Sequence, residues 1–260
     1  MVWMALVLFS GCDPVAEDER FLHVDPVINA DELAQRVLIE DFTGQLCVNC
    51  PPGHELIEQM QAVYGADNLI AVSIHGGPLS TYSRGKVLGL RTQLGDDYNT
   101  HWGVDSWPNA LINRRGGSQT ADHWQAAVHD AMGKIAPMSL ELESVLDPTA
   151  HIIHITVTAK GKETFNGNLQ VWIVEDNITA IQKLPDGSSN PQYTHNNVLR
   201  TAVNGAWGTD FAVPRGEIAQ ATFEATIDEK WNAQAIRVVA FTYDADGVAQ
   251  AVSGKVAIGS

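Results

Sequence analysis

The stretch Asp41-Phe42-Thr43-Gly44-Gln45-Leu46-Cys47-Val48-Asn49-Cys50-Pro51 carries two cysteines three residues apart. They fall where an apolar, strand-like run, Val37 to Phe42, hands over to a helix expected from about Pro51 to Tyr64. A thiol attacks a disulfide only as its thiolate, so the first cysteine of an exchange pair needs a lowered pKa. The unsatisfied N–H groups and the dipole at a helix N-terminus favour negative charge there. Cys47 is expected at that position, with Cys50 close enough to resolve a mixed disulfide. The resolving thiol must give up its proton, and Asp41, six residues before Cys47, is placed to accept it directly or through a water. A purely structural disulfide is the alternative. A loop this short yields only about 2 kcal/mol in the chain-entropy model, less than a long-range bridge would give.

A second element lies in Gly103-Val104-Asp105-Ser106-Trp107-Pro108-Asn109-Ala110-Leu111-Ile112-Asn113. A cis peptide at Trp107–Pro108 would put strand-edge backbone beside Cys47, where it could pair with an extended substrate, and makes Trp107 a candidate substrate-binding residue. An ordinary trans-proline at a strand start is the alternative.

Charge and composition narrow the setting. The 260 residues carry a formal net charge of -15, from 16 Lys+Arg against 31 Asp+Glu. Such an acidic surface repels phosphate backbones and anionic bilayers, which argues against a nucleic-acid partner and against membrane attachment through a basic patch. The apolar run Met1 to Gly11 is too short to span a bilayer and has the character of a signal-peptide core. Phe9-Ser10-Gly11-Cys12 resembles a bacterial lipobox, in which Cys12 is lipidated, although no Lys or Arg precedes the run and Phe9 stands for the usual Leu. Residues 13–35 then form a tether. Of 3 cysteines, lipidation of Cys12 leaves Cys47 and Cys50 alone, which excludes a four-cysteine zinc site. Export also places the pair where disulfides persist.

From residue 36 to 137, strands alternate with helices. Asn68–Ile74 is a second strand, part of Thr81–Asn99 is helical, and Ala110–Asn113 is a short strand stopped by Arg114 to Gly117. Thr120 N-caps a helix over Ala121–Met132. After Ala136-Pro137 the texture changes to about seven runs with period-two alternation, such as His151–Thr158 and Ala221–Ile227. The last two of these are joined by a turn at Asp244 to Gly247. Residues 138–260 are therefore expected to form an all-β sandwich.

Several polar groups carry weaker signals. His75 reads as a hydrogen-bonded loop residue near the cysteines. His151 and His154 fall on opposite strand faces, and His123 and His129 do not share a helical face, so no metal site is expected. Asp244-x-Asp246-Gly247 lacks the further ligands of a calcium loop. Tyr193, His195, Asn197 and Arg200 are expected as a polar network within the sandwich. No cofactor motif appears.

Asp41-Phe42, Cys47-x-x-Cys50, Gly103-Val104 and Pro108 before a strand ending at Gly116 resemble the thioredoxin pattern. The resemblance implies Cys47 as nucleophile, Cys50 as resolving thiol, Asp41 as buried proton acceptor and Pro108 as cis-proline. Leu46 replaces the usual Trp, Val48-Asn49 replaces Gly-Pro, and Pro51-Pro52 follows the motif directly. The redox direction is thereby left open. Over nearly the whole chain, the lipobox, Glu40 to Gly44 before Cys-x-x-Cys-Pro, Ile74-His75-Gly76 and Tyr193 to Arg200 are similar to the outer-membrane-protein-28 family. That likeness implies a lipid-anchored protein of the bacterial outer membrane, periplasmic or surface-exposed. Its expected parts are an α/β thioredoxin-like domain over 36–137 and an immunoglobulin-like β-sandwich over 138–260. Exchange through Cys47 and Cys50 would take as partners thiols or disulfides of exported proteins or an envelope redox donor. A non-enzymatic adhesin or scaffold with a structural disulfide is the competing expectation.

Overall fold

The computed structural model describes residues 33–259. Two sheets dominate it. The larger has the order β14-β13-β7-β10-β2-β1-β3-β4, with β11 also pairing to β7. Its core is β1 (Val37–Thr43), β2 (Leu69–His75), β3 (Asn109–Ile112), β4 (Arg115–Thr120), β7 (Phe165–Glu175), β10 (Val198–Ala202), β11 (Thr209–Val213), β13 (Ile236–Asp244) and β14 (Gly247–Lys255). The smaller has the order β12-β6-β5-β15, built from β5 (Met138–Asp147), β6 (Ile152–Gly161), β12 (Ile218–Thr226) and β15 (Ala257–Ile258). A separate hairpin pairs β8 (Ile178–Lys183) with β9 (Ser189–His195).

The apolar run of β1 reads as it does because both faces of the strand are covered; all seven residues of β1 and of β2 are buried. Helices α1 (Cys50–Tyr64) and α3 (Ala121–Ala131) cover one face, where Val37, Ile39, Leu69 and Ala71 meet Ile57, Met60, Trp124 and Val128. On the same side further along, Val171, Ile173, Val238 and Ala240 pack against the smaller sheet. The opposite face is one continuous core, in which Leu38, Ile70 and Leu111 join Trp172, Val239 and Phe241 beneath Tyr98 of α2 (Gln93–His101). The chain thus passes residue 137 without a break in layering, because strands from both sides of it share the large sheet.

The join runs through β10. It lies parallel to β2 at Val198–Ser73 and antiparallel to β7. Ser73 N–H donates to Asn197 O at 2.6 Å. Arg237 reinforces the seam by donating to Ala71 O at 2.8 Å and to Asn197 Oδ1 at 2.6 Å.

The structure adds to the expected elements. Arg114 to Gly117 do not simply stop a strand. Asn113 and Arg114, with φ of 50° and 53°, form a two-residue hairpin turn into β4, a strand whose polar, Gly-rich sequence concealed it. The described residues after 137 form eleven strands where about seven were expected; β8, β9 and β11 lack sustained apolar alternation. Thr120 precedes α3 without a capping bond to the helix backbone, its hydroxyl instead pairing with the Asp122 carboxylate.

The left-handed Arg114 is held by its partners. Its guanidinium donates to both Glu40 carboxylate oxygens, at 2.7 and 3.3 Å, and lies 4.5 Å from the Tyr243 ring centroid and 4.8 Å from that of Phe241. Both side chains of the pair are buried. Removing one member of a buried pair strands the other, so Glu40→Ala is expected to cost about 3–5 kcal/mol in urea denaturation. Glu40→Leu with Arg114→Met should recover most of that loss.

Candidate functional site at the Cys47–Cys50 disulfide

Strand β1 alternates, so Glu40 points to the Arg114 face while Asp41 and Thr43 share the α1 face with Ile39. The same parity on β2 places Ser73 and His75 there as well. After β1 the chain turns sharply at Gly44. A Cβ at Gly44 would sit 2.5 Å from Leu79 O, so only glycine permits this approach. Cys47 follows in the turn, its N–H donating to Gly44 O at 3.0 Å. Cys50 is the first residue of α1, with Pro51 and Pro52 at positions whose missing N–H groups cost nothing. Cys47 and Cys50 form a disulfide with Cα atoms 5.4 Å apart.

The Trp107–Pro108 peptide is cis. The Pro108 ring faces the first turn of α1, 3.1 Å from where a Cβ at Gly53 would be. The Trp107 indole turns to the other face, against Gly77 and the core beneath α2. Asp41 is fully buried, and burial pushes its carboxyl up to about 7 against a weaker opposing hydrogen bond from Ser73. Cys12 lies outside the described residues.

The sequence reading did not single out His54, yet it completes this environment. It stands four residues after Cys50, on the same helical face. Its Nε2 lies 2.9 Å from Thr43 Oγ1 and 3.5 Å from Asp41 Oδ2, and its Nδ1 lies 2.9 Å from Tyr193 Oη.

Tyr193 belongs to the β8–β9 hairpin, which reaches across from the β-rich half and rests on the cysteine loop. Gln182, fully buried, donates to Cys47 O at 2.8 Å and Gly44 O at 3.3 Å. Lys183 N–H donates to Gln45 O at 2.8 Å, and Gln45 Nε2 donates back to Ile181 O. Beneath this cover Cys47 is 2% and Cys50 0% exposed. An open groove at Cys47, which free exchange would need, is therefore not what the chain adopts. Tyr193, His195, Asn197 and Arg200 do not form one network inside a sandwich, although the Tyr193 and His195 rings meet at 4.8 Å. Tyr193 bonds His54, His195 stacks edge-on against His75 with centroids 5.5 Å apart, Asn197 bonds Arg237, and Arg200 pairs with Glu175. His75 itself lies in β2, not in a loop.

The profile of the outer membrane protein Omp28 family matches residues 95–260. The chain belongs to the Omp28 family. It is accordingly a protein of the bacterial cell envelope. Among solved structures it is similar to HBP35 of Porphyromonas gingivalis, with a TM-score of 0.64 at 16% identity, covering 86% of this chain and 76% of that one. It is also similar to a domain of the outer membrane lipoprotein Omp28 from Porphyromonas gingivalis, with a TM-score of 0.36 at 24% identity, covering 49% of this chain and 93% of that one. No curated protein matches.

Of the three histidines at this Omp28-family site, His75 and His195 are buried and the His54 side chain is 17% exposed, and among the described residues no cluster of His, Cys, Asp and Glu is arranged to hold a metal ion. Burial lowers His54 and His195 to about 4 and His75 well below its usual value, and the mutual proximity of the three rings adds to the effect for His54 and His75. The groups around them are Asp41, Tyr193 and Arg200. The neutral rings favour the fold above pH 6.5. As pH falls from 6.5 towards 4 the unfolded chain binds protons that the folded one refuses, so stability drops. Asp41 acts in the opposite sense. Its folded pKa lies above the unfolded 3.8, so its cost is absent below pH 4 and complete above pH 7. Asp41→Asn is therefore expected to raise stability by about 4 kcal/mol at pH 8, with the gain gone at pH 4, as read by urea denaturation at the two pH values.

Proposed function

We propose that this Omp28-family protein exchanges disulfides with exported client proteins through Cys47 and Cys50, on a thioredoxin-like α/β module joined to an immunoglobulin-like β-sandwich. The observation that carries this reading is a disulfide opening α1 on the sheet face that holds Asp41, a buried carboxyl with a pKa of about 7. At neutral pH such a group can both give and accept a proton, as a resolving thiol requires. Lipidation of Cys12 would tether the module to the membrane.

In the oxidising direction, a client thiolate attacks Cys47 Sγ and the Cys47–Cys50 bond breaks. Cys50 leaves as thiolate and takes the proton of Asp41, which is replenished from solvent. The client's second thiol loses its proton to solvent and attacks the client sulfur of the mixed disulfide. Cys47 is released as thiolate and protonated from solvent. Two electrons pass from the client dithiol to the protein disulfide, leaving a client disulfide and a protein dithiol. The reducing direction is the same sequence reversed, with Asp41 accepting the Cys50 proton. Near-complete burial of both sulfurs favours a second reading, in which the disulfide is structural and the protein is an adhesin or scaffold.

A Cys50→Ala variant expressed in its own envelope should accumulate mixed disulfides through Cys47, and Cys47→Ala should not. If no mixed disulfide forms, and the purified protein neither reduces insulin nor oxidises a dithiol peptide, the exchange reading is lost and the structural one stands. Cys12→Ser should move the protein from the membrane to the soluble fraction; unchanged fractionation would refute the lipid tether.

A further inference from the structure

The β8–β9 hairpin pairs with neither large sheet. What it touches instead is the main chain of the cysteine loop. Gln182 donates to the carbonyls of Gly44 and Cys47, and Lys183 N–H donates to the carbonyl of Gln45. These three acceptors form a short row of backbone oxygens leading to Cys47. Recognition of that kind depends on extended geometry and hardly on sequence.

Around the row, Leu46, Val48 and Leu88 are unusually exposed for aliphatic side chains, at 41%, 37% and 41%. The apolar cluster at the hairpin is small: Ile178 and Ala180 meet Leu90 and Val198. Both ends of the hairpin are clamped. Asn177 N–H donates to Asn196 Oδ1 at 3.0 Å, and Asn197 N–H donates to Asp176 Oδ1 at 2.7 Å. Asn177 and Asn197 each sit at a φ of 60°, in the left-handed region. The hairpin is thus a weakly packed flap on a fixed base, and the base is tied to β2 through Ser73 N–H and Asn197 O.

We infer that the carbonyl row Gly44–Gln45–Cys47 is a docking site for an extended polypeptide segment of a thiol client, and that the β8–β9 hairpin occupies it as an internal stand-in until a client displaces it. The inference rests on the exchange reading for the client's identity, and it accounts for why a reactive pair would be found covered. The client would add its own N–H donors to the row and lay apolar side chains on Leu46, Val48 and Leu88. Tyr193 leaves with the hairpin, opening His54 and the small polar pocket lined by His54, Glu58, Ser73 and Asn197.

Two measurements on the full chain test this apart from turnover. Gln182→Ala removes two bonds to the row, and reduction of Cys47–Cys50 by dithiothreitol should accelerate about thirtyfold, the equivalent of about 2 kcal/mol. Reduction of the variant at the wild-type rate would overturn the stand-in role. On the wild-type protein, hydrogen exchange is followed with a short unstructured peptide whose cysteine is replaced by serine. Amides of residues 178–195 should exchange faster and those of 45–48 slower as peptide is added. Unchanged exchange in both segments would overturn the docking site. Because neither readout requires catalysis, faster reduction with no insulin activity would sink the exchange reading and keep the flap. Insulin activity with an unresponsive hairpin would do the reverse.

Discussion

The insertion of β10 between β2 and β7 is the constraint on which the remainder depends. A single strand from the β-rich half takes a place in the sheet begun by the α/β half, so the two share backbone hydrogen bonds and not merely side-chain contacts. Arg237, reaching from β13 to Ala71 O and Asn197, and Arg114, reaching from the β3–β4 turn under Phe241 and Tyr243, fasten the same seam from its two sides. The hairpin β8–β9 immediately precedes β10 in the chain. Once β10 is docked, the hairpin has little choice but to emerge beside the end of β2, where the cysteine loop lies.

That placement sets the electrostatics of the site. Asp41 and the three histidines are each uncharged, or poised to be, for one reason: the hairpin and α1 together remove them from water. Main-chain hydrogen bonds, with Ser73 for His75 and with Ile181 and Ala180 for His195, oppose the effect of burial on these two rings without overcoming it.

The cysteine motif, the strand before it and the helix after it were legible in the residues because each follows from local chemistry. An apolar run, a glycine at a turn and a Pro-Pro helix start all act over a few positions. Asp41 could be assigned for the same reason, since strand alternation fixes its face. His54 could have been found from its four-residue spacing to Cys50. Gln182 and Tyr193 could not, being more than a hundred residues distant in a polar, Pro- and Gly-containing stretch with no periodic signal. Nor could the direction of Trp107, expected beside Cys47 from its peptide bond to Pro108, whose indole packs on the opposite face.

The sequence alone determined the α/β pattern of the first part, the β-rich character of the second, the Cys47–Cys50 spacing and the acidic surface. Each is a property of composition or of spacing within one element. Tertiary structure alone decided that the two parts share a sheet, that β4 exists within a glycine-rich stretch, and that the disulfide lies under a hairpin from the far half. Those outcomes rest on pairing between segments remote in the chain, where hydrogen bonds between main chains carry no signature in the residues that make them.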